Sequence, residues 1–144
     1  MIEKDTIRLL RECDAGVKMG VKSITDVLSY VKSDELEREL IECRSKHEKL
    51  GNEMQDLLNR YNDDGKNPNP IASSMSWIKT NVKLVINDSD RVVADLITDG
   101  CNMGVKSLNK YLNQYKAADE TSKDITKRLI SLEQGLAKSM QGYL

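Results

Sequence analysis

The sequence predicts an all-α protein, a four-helix bundle built from two related helical hairpins. The octapeptide at residues 16–23 returns 84 residues later at residues 100–107, with six of eight positions identical. Apolar residues also recur at spacings of three and four over four long stretches, which is the period of one helix face. The composition, with no Phe and two Pro among 144 residues, favours helix over sheet.

The first hairpin is predicted from helix A over residues 3–31 and helix B over residues 34–61. The inward stripe of helix A includes one carboxylate and consists of Ile7, Leu10, Asp14, Val17, Val21, Ile24, Leu28 and Val31. After the break at Lys32-Ser33, Asp34 followed by Glu37 indicates a capping box that opens helix B. The stripe of helix B includes one histidine and consists of Leu36, Leu40, Cys43, His47, Leu50, Met54, Leu57 and Tyr61.

The connection between the hairpins is predicted to be long and partly helical. Residues 62–70 are rich in Asn, Asp, Gly and Pro and end the first hairpin. Residues 71–86 then have the apolar spacing of a short fifth helix, through Ile71, Met75, Ile78, Val82 and Val85. Such a helix needs apolar surface to lie on, so the sequence favours a crossover over residues 62–88 rather than a simple up-down-up-down bundle.

The second hairpin, residues 89–143, completes a single domain over residues 1–144. Helix C is predicted over 89–117, with Asp88 or Ser89 as its N-cap, and helix D over 121–143, opened by Thr121 with Asp124. The stripe of helix C is Ala94, Thr98, Cys101, Val105, Leu108, Leu112 and Tyr115, and that of helix D is Ile125, Leu129, Leu132, Leu136, Met140 and Tyr143. The repeat predicts that the hairpins superpose with Val17 over Cys101 and Val21 over Val105.

Charge and cysteine content narrow the expected environment and partners. The 22 basic and 23 acidic residues are finely interspersed, so no basic stripe is expected to track phosphates and nucleic acid is not an expected partner. Three cysteines outside any CxxC spacing favour reduced thiols in a cytoplasm. The N-terminus lacks the apolar core of a signal peptide, and no apolar run is long enough to span a membrane, so no membrane association is expected.

Four segments carry a resemblance to a known family: Gly16–Tyr30 in helix A, Asp34-Glu35-Leu36 at the start of helix B, Ser76-Trp77 in the crossover, and Gly100–Tyr111 in helix C. Over residues 5 to 143 the chain resembles the bacterial family of uncharacterised ferritin-like proteins, a domain of unknown function. The resemblance implies a ferritin-like four-helix bundle with a long crossover that carries the short fifth helix. It also implies a stress-related role.

The di-iron ligands of ferritin-like enzymes are only partly matched in this chain. Such enzymes use one Glu on each of two helices and Glu-x-x-His on the other two. His47 has the expected position on helix B, but Arg44 stands three residues before it, and arginine cannot ligate a cation. Helix D offers Glu133, with Leu136 where a histidine would follow. Most or all of the di-iron ligands are therefore expected to be lost.

Two interpretations of the remaining polar residues stay open. One is a mononuclear zinc or iron site drawn from Asp14, His47, Cys43, Cys101 and Glu133, whose ligand types suit either metal. The favoured one is a buried polar pair without metal. Counted from the A–B turn, Asp14 and His47 should lie within about one helical turn, or 5 Å, of each other. Asp14 is then expected to bind His47, Arg44 or Thr98.

The function expected from these features is that of a binding or assembly module. No catalytic or cofactor-binding residue is assigned, and an enzyme is the less expected class, because Cys43 beside His47 lacks a cleft and oxyanion donors. Zinc or iron are the only cofactors that the residues suggest. A homo-oligomer is expected, with a dimer as its simplest form. The glycine pairs at 16/20 and 100/104 predict a tight helix crossing within the bundle, or, less favoured, a dimer contact.

Overall fold

A computed structural model describes residues 4–67 and 89–144, and within these ranges the chain is all-α, as predicted. The four long helices are α1 (Lys4–Leu28), α2 (Asp34–Arg60), α3 (Ser89–Gln114) and α4 (Glu120–Met140), and a 3-10 helix, Gln141–Tyr143, follows α4. The two described ranges contain no strand. The predicted fifth helix over 71–86, and with it most of the 62–88 crossover, lies outside the described residues.

The N-caps of α2 and α4 differ slightly from the predicted ones. Ser33, with extended backbone at φ −71° and ψ 126°, caps α2 by accepting a hydrogen bond from the backbone N–H of Leu36. Asp119 caps α4 in the same way, accepting from the backbone N–H of Ser122. The predicted openings at Asp34 and Thr121 were therefore wrong by one and two residues, because Ser33 and Asp119 have the extended backbone and the side-chain acceptor that an N-cap needs.

Hydrogen bonds at the two ends of the bundle fix the directions of the helices. The backbone N–H groups of Lys32 and Ser33 donate to the carboxylate of Asp90 at 2.7 and 3.0 Å, so α3 begins beside the α1–α2 turn. At the opposite end, the backbone N–H of Asp119 donates to Thr6 Oγ1 at 2.8 Å. Helices α2 and α3 therefore run parallel, and α1 and α4 run parallel in the opposite direction.

The helices form a square in which α1 and α4 share one diagonal. Helix α1 packs against α2, α3 and α4, and α4 packs against α2 and α3 as well. Two apolar clusters fill the interior. The cluster at the α1–α2 turn includes Ile24, Val27, Leu36, Leu40, Ile97 and Met140. The cluster at the opposite end includes Leu9, Leu10, Met54, Leu58, Ile125 and Leu129. On α2 and α4, the buried residues His47 and Glu133 lie between the members of the two clusters.

Candidate functional site

Asp14 is buried as expected, but its expected partners are wrong. Its Oδ2 accepts a hydrogen bond from Lys18 Nζ at 2.8 Å and another from the backbone N–H of Lys66 at 2.9 Å. Arg44 instead donates to Thr25 Oγ1, and Thr98 donates to a backbone carbonyl of its own helix. Asp14 thus anchors the segment after α2 to α1 and takes no part in a mid-bundle site.

The direction of helical side chains explains why Asp14 and His47 do not meet. Each Cα–Cβ bond tilts toward the N-terminus of its own helix. Because α1 and α2 are antiparallel, the Asp14 side chain tilts away from the turn between them and the His47 side chain tilts toward it. The imidazole consequently lies against Gly20, where an added Cβ would stand 2.8 Å from its Cδ2. Gly20 is about 9 Å along the helix axis from Asp14.

His47 is paired with Glu133 instead, in the middle of the bundle. The imidazole is fully buried and Glu133 is 8% exposed. His47 Nε2 lies 2.7 Å from Glu133 Oε1, and Nδ1 lies 2.9 Å from the backbone oxygen of Cys43. A backbone carbonyl and a carboxylate both accept, so with Glu133 as a carboxylate and the pKa of His47 raised, each ring nitrogen carries a proton and donates. The pair is therefore an imidazolium and a carboxylate.

The surroundings of the pair favour its charged form. Burial alone would lower the pKa of His47, but the hydrogen bonds to Cys43 and to the Glu133 carboxylate outweigh it and raise this pKa to about 10. Burial and the neighbouring Glu133 raise the pKa of Cys101 above its ordinary value. A buried thiol with a raised pKa stays protonated and is a poor nucleophile.

The two halves of the repeat contribute equivalent positions to this site. His47 and Glu133 are 86 residues apart, as are Ser33 and Asp119, the N-caps of the helices that carry them. The glycines of the repeat stand opposite: Gly20 faces His47, and an added Cβ at Gly104 would lie 3.5 Å from Glu133 Oε2. Gly20 is therefore in close contact with a side chain of α2, and a tight helix crossing at the glycine pairs stays a prediction.

Among the described residues, an open groove of about 890 Å³ lies above the pair, between α1 and α3. Its walls contain the four repeated glycines of the two helices, its floor includes His47 and Glu133, and Lys66 and Asn67 line it as well. Apart from these polar groups the lining is largely apolar, with Met19, Ile24, Ile97 and Leu136 among its members. The groove could not be predicted from the sequence, because a helix stripe indicates which side chains face inward but not how far apart two helices lie.

The five proposed metal ligands do not converge. Cys43 Sγ lies 3.5 Å from His47 Nδ1, His47 is bound to Glu133, and Cys101 is near enough to Glu133 for its pKa to be raised, so four of the five are neighbours. Asp14 is bound elsewhere, and the structure corrects its inclusion. Across residues 4–67 and 89–144, no group of three or more His, Cys, Asp or Glu side chains is arranged to hold a metal ion. No helix in the part of the chain that the structure describes is long and apolar enough to cross a membrane.

Comparison with known proteins relates this fold to a solved structure. No family model and no curated protein sequence matches the chain. The crystal structure of a DUF305 fragment from Deinococcus radiodurans is similar, with a TM-score of 0.77 over 98% of this chain and 95% of that one. The sequence identity is 11%, so the likeness concerns the fold alone. The similar protein is itself a domain of unknown function.

Proposed function

We propose that this protein is a ferritin-like bundle that has lost its di-iron ligands and serves as a binding or assembly module. The helix directions support the first part. Because α2 and α3 run parallel, the connection between them has to join opposite ends of the bundle, which is the plan of a bundle with one long crossover. The resemblance in sequence adds a stress-related role to the proposal.

One observation carries the proposal: the buried His47–Glu133 ion pair, with its N···O distance of 2.7 Å, lies beneath the open groove. A metal ion requires a histidine with a free ring nitrogen, whereas both nitrogens of His47 are engaged as donors. Arg44 and Leu136 stand where further ligands would be needed. The residues present therefore do not fit a di-iron centre.

The groove supports a binding role. Small-molecule sites are concave and mostly apolar, with a few polar groups that fix orientation, and the groove has this composition. An ion pair taken out of water also carries a desolvation penalty that an apolar pair would avoid. Contact with a bound molecule would explain why a charged pair lies in the floor of a cavity. We also propose that the chain forms a homo-oligomer, which sedimentation of the purified chain would test.

Metal analysis tests the proposal against the competing metalloprotein. We would measure zinc and iron in the native chain, in His47→Ala and in the control Lys46→Ala, all after exhaustive dialysis. The proposal expects metal far below one ion per chain in all three. Nitrogen-15 spectra of the native chain should also show an imidazole protonated on both nitrogens. Near-stoichiometric zinc or iron that disappears only in His47→Ala would overturn it.

A further inference from the structure

The dimensions of the groove suit an elongated small molecule. It extends along α1 from Glu12 to Ile24 and along α3 from Ile97 to Tyr111. At 1.5 Å of rise per residue, these stretches are about 18 and 21 Å long. The volume of about 890 Å³ lies within the range of small-molecule sites, which is roughly 300–1,000 Å³.

The charges that line the groove are already matched. Glu133 is paired with His47, and Glu12 is paired with Lys66 at 2.6 Å. A charged ligand would therefore leave one charge without a counter-ion in a largely apolar site, which is costly. An anionic amphiphile would in addition face two carboxylates. The groove is thus electrostatically suited to a neutral molecule.

Glu133 supplies a hydrogen-bond acceptor in the floor. Its Oε1 accepts from His47, while Oε2 is the atom that lies closest to the Cβ position of Gly104, a wall residue of the groove. An ionised carboxylate has about four lone-pair sites, so the bond from His47 leaves acceptor capacity. A ligand donor that reaches this oxygen would make a charge-assisted hydrogen bond.

We propose that the groove binds an elongated, neutral, mainly apolar molecule whose hydroxyl or N–H group donates to Glu133. This inference rests on the proposed function as a binding module and names its ligand class. The apolar walls provide the affinity. The Glu133 carboxylate, held in place by His47, selects molecules with a donor.

Displacement of a fluorescent probe from the intact chain tests the ligand class. N-phenyl-1-naphthylamine, a neutral aromatic amine with one N–H, is titrated into the protein and then displaced by straight-chain alcohols. Affinity should rise about fourfold per methylene from octanol to dodecanol, the factor that corresponds to about 0.8 kcal/mol per buried CH₂. The methyl ether of decanol, which lacks the donor, should bind roughly tenfold more weakly than decanol. Decanoate, which carries a negative charge, should also bind more weakly than decanol.

Two glycine variants test the location. Gly100 lines the groove, Gly135 does not, and none of the described atoms lies within 4 Å of a Cβ built on either. Gly100→Leu should therefore fill the groove, whereas Gly135→Leu adds the same side chain elsewhere. Both replacements favour helix, so both variants should fold. Gly100→Leu should weaken probe binding at least tenfold and Gly135→Leu should leave it unchanged.

Several results would overturn the inference. It is wrong if the native chain does not bind the probe, or if Gly100→Leu binds the probe as tightly as the native chain. It is also wrong if decanoate and the methyl ether bind as tightly as decanol. The metal analysis is independent of these titrations. If the titrations fail and the chain is metal-free, the ligand class is wrong and the account of the lost metal site stands.

Discussion

Replacement of Glu133 by glutamine should destabilise the protein by an amount that depends on pH. The change keeps the shape of the side chain and removes the charge opposite the fully buried His47. Removing one partner of a buried ion pair typically costs about 3–5 kcal/mol, because the other charge is left uncompensated. Against a total stability of about 5–15 kcal/mol for a domain, this loss is large but leaves a measurable transition.

The sign of the pH dependence follows from the histidine. In the native chain, burial lowers the pKa of His47, but its hydrogen bonds raise it to about 10, well above its ordinary value of 6.5. The raised pKa contributes stability that is fully present below pH 6.5 and is lost as the pH rises through about 10. Without the Glu133 carboxylate, the hydrogen bond and the charge interaction that help to raise this pKa are lost, so the variant loses the part of the contribution that comes from the pair. The stability difference should therefore be largest at pH 6 and small at pH 10.

Urea unfolding at pH 6, 8 and 10 measures this difference. We expect about 3–5 kcal/mol at pH 6 and no more than about 1 kcal/mol at pH 10. Glu53→Gln is the control, because Glu53 pairs with Arg128 at 2.6 Å on the surface, where an ion pair is worth about 0–1 kcal/mol. A Glu133→Gln effect that is equally large at all three pH values would refute the charged pair.

Two further predictions concern the positions around the pair. Gly20→Ala places a Cβ 2.8 Å from His47 Cδ2, so it should lower the free energy of unfolding by about 1–3 kcal/mol, whereas Gly135→Ala should raise it by up to about 1 kcal/mol. Equal stabilisation by both alanines in thermal unfolding would contradict the close approach at Gly20. Exchanging the pair, His47→Glu with Glu133→His, should restore much of the stability that His47→Glu loses, because the positions are equivalent. A double-mutant cycle should give a coupling of about 1–3 kcal/mol, and no coupling would argue against equivalence.

The helices could be predicted from the sequence because their signal is local. Apolar periodicity placed the boundaries of the four described long helices within three residues of the observed ones, as at α1, where Leu28 ends a helix predicted to reach residue 31. Burial of Asp14 and His47 followed from the same stripes. The fold class needed only these stripes and the repeated octapeptide, since two amphipathic hairpins bury their faces best against each other.

The pairing within the site could not be predicted in the same way. A stripe gives the angle of a side chain around its helix and leaves open the direction in which it tilts along the axis. Because the two side chains tilt in opposite directions along the bundle, Asp14 does not reach His47, and Glu133 binds the imidazole instead. Alignment on the observed N-caps, Ser33 and Asp119, places His47 and Glu133 at the same position of the second helices. The helix starts predicted from the sequence, Asp34 and Thr121, are out of step by one residue, so the sequence did not identify the pair.

The buried pair explains why glycine recurs at one position of the repeat. A glycine within a helix costs about 1 kcal/mol relative to alanine, so its presence at the same place in both halves calls for a compensating contact. Gly20 leaves room for the imidazole and Gly104 stands beside the carboxylate of Glu133. Gly100, in contrast, has no described atom within 4 Å of a Cβ position, so packing within the described bundle does not explain it. The proposed ligand would explain it, because Gly100 lines the groove and any side chain there would occupy the space proposed for the ligand.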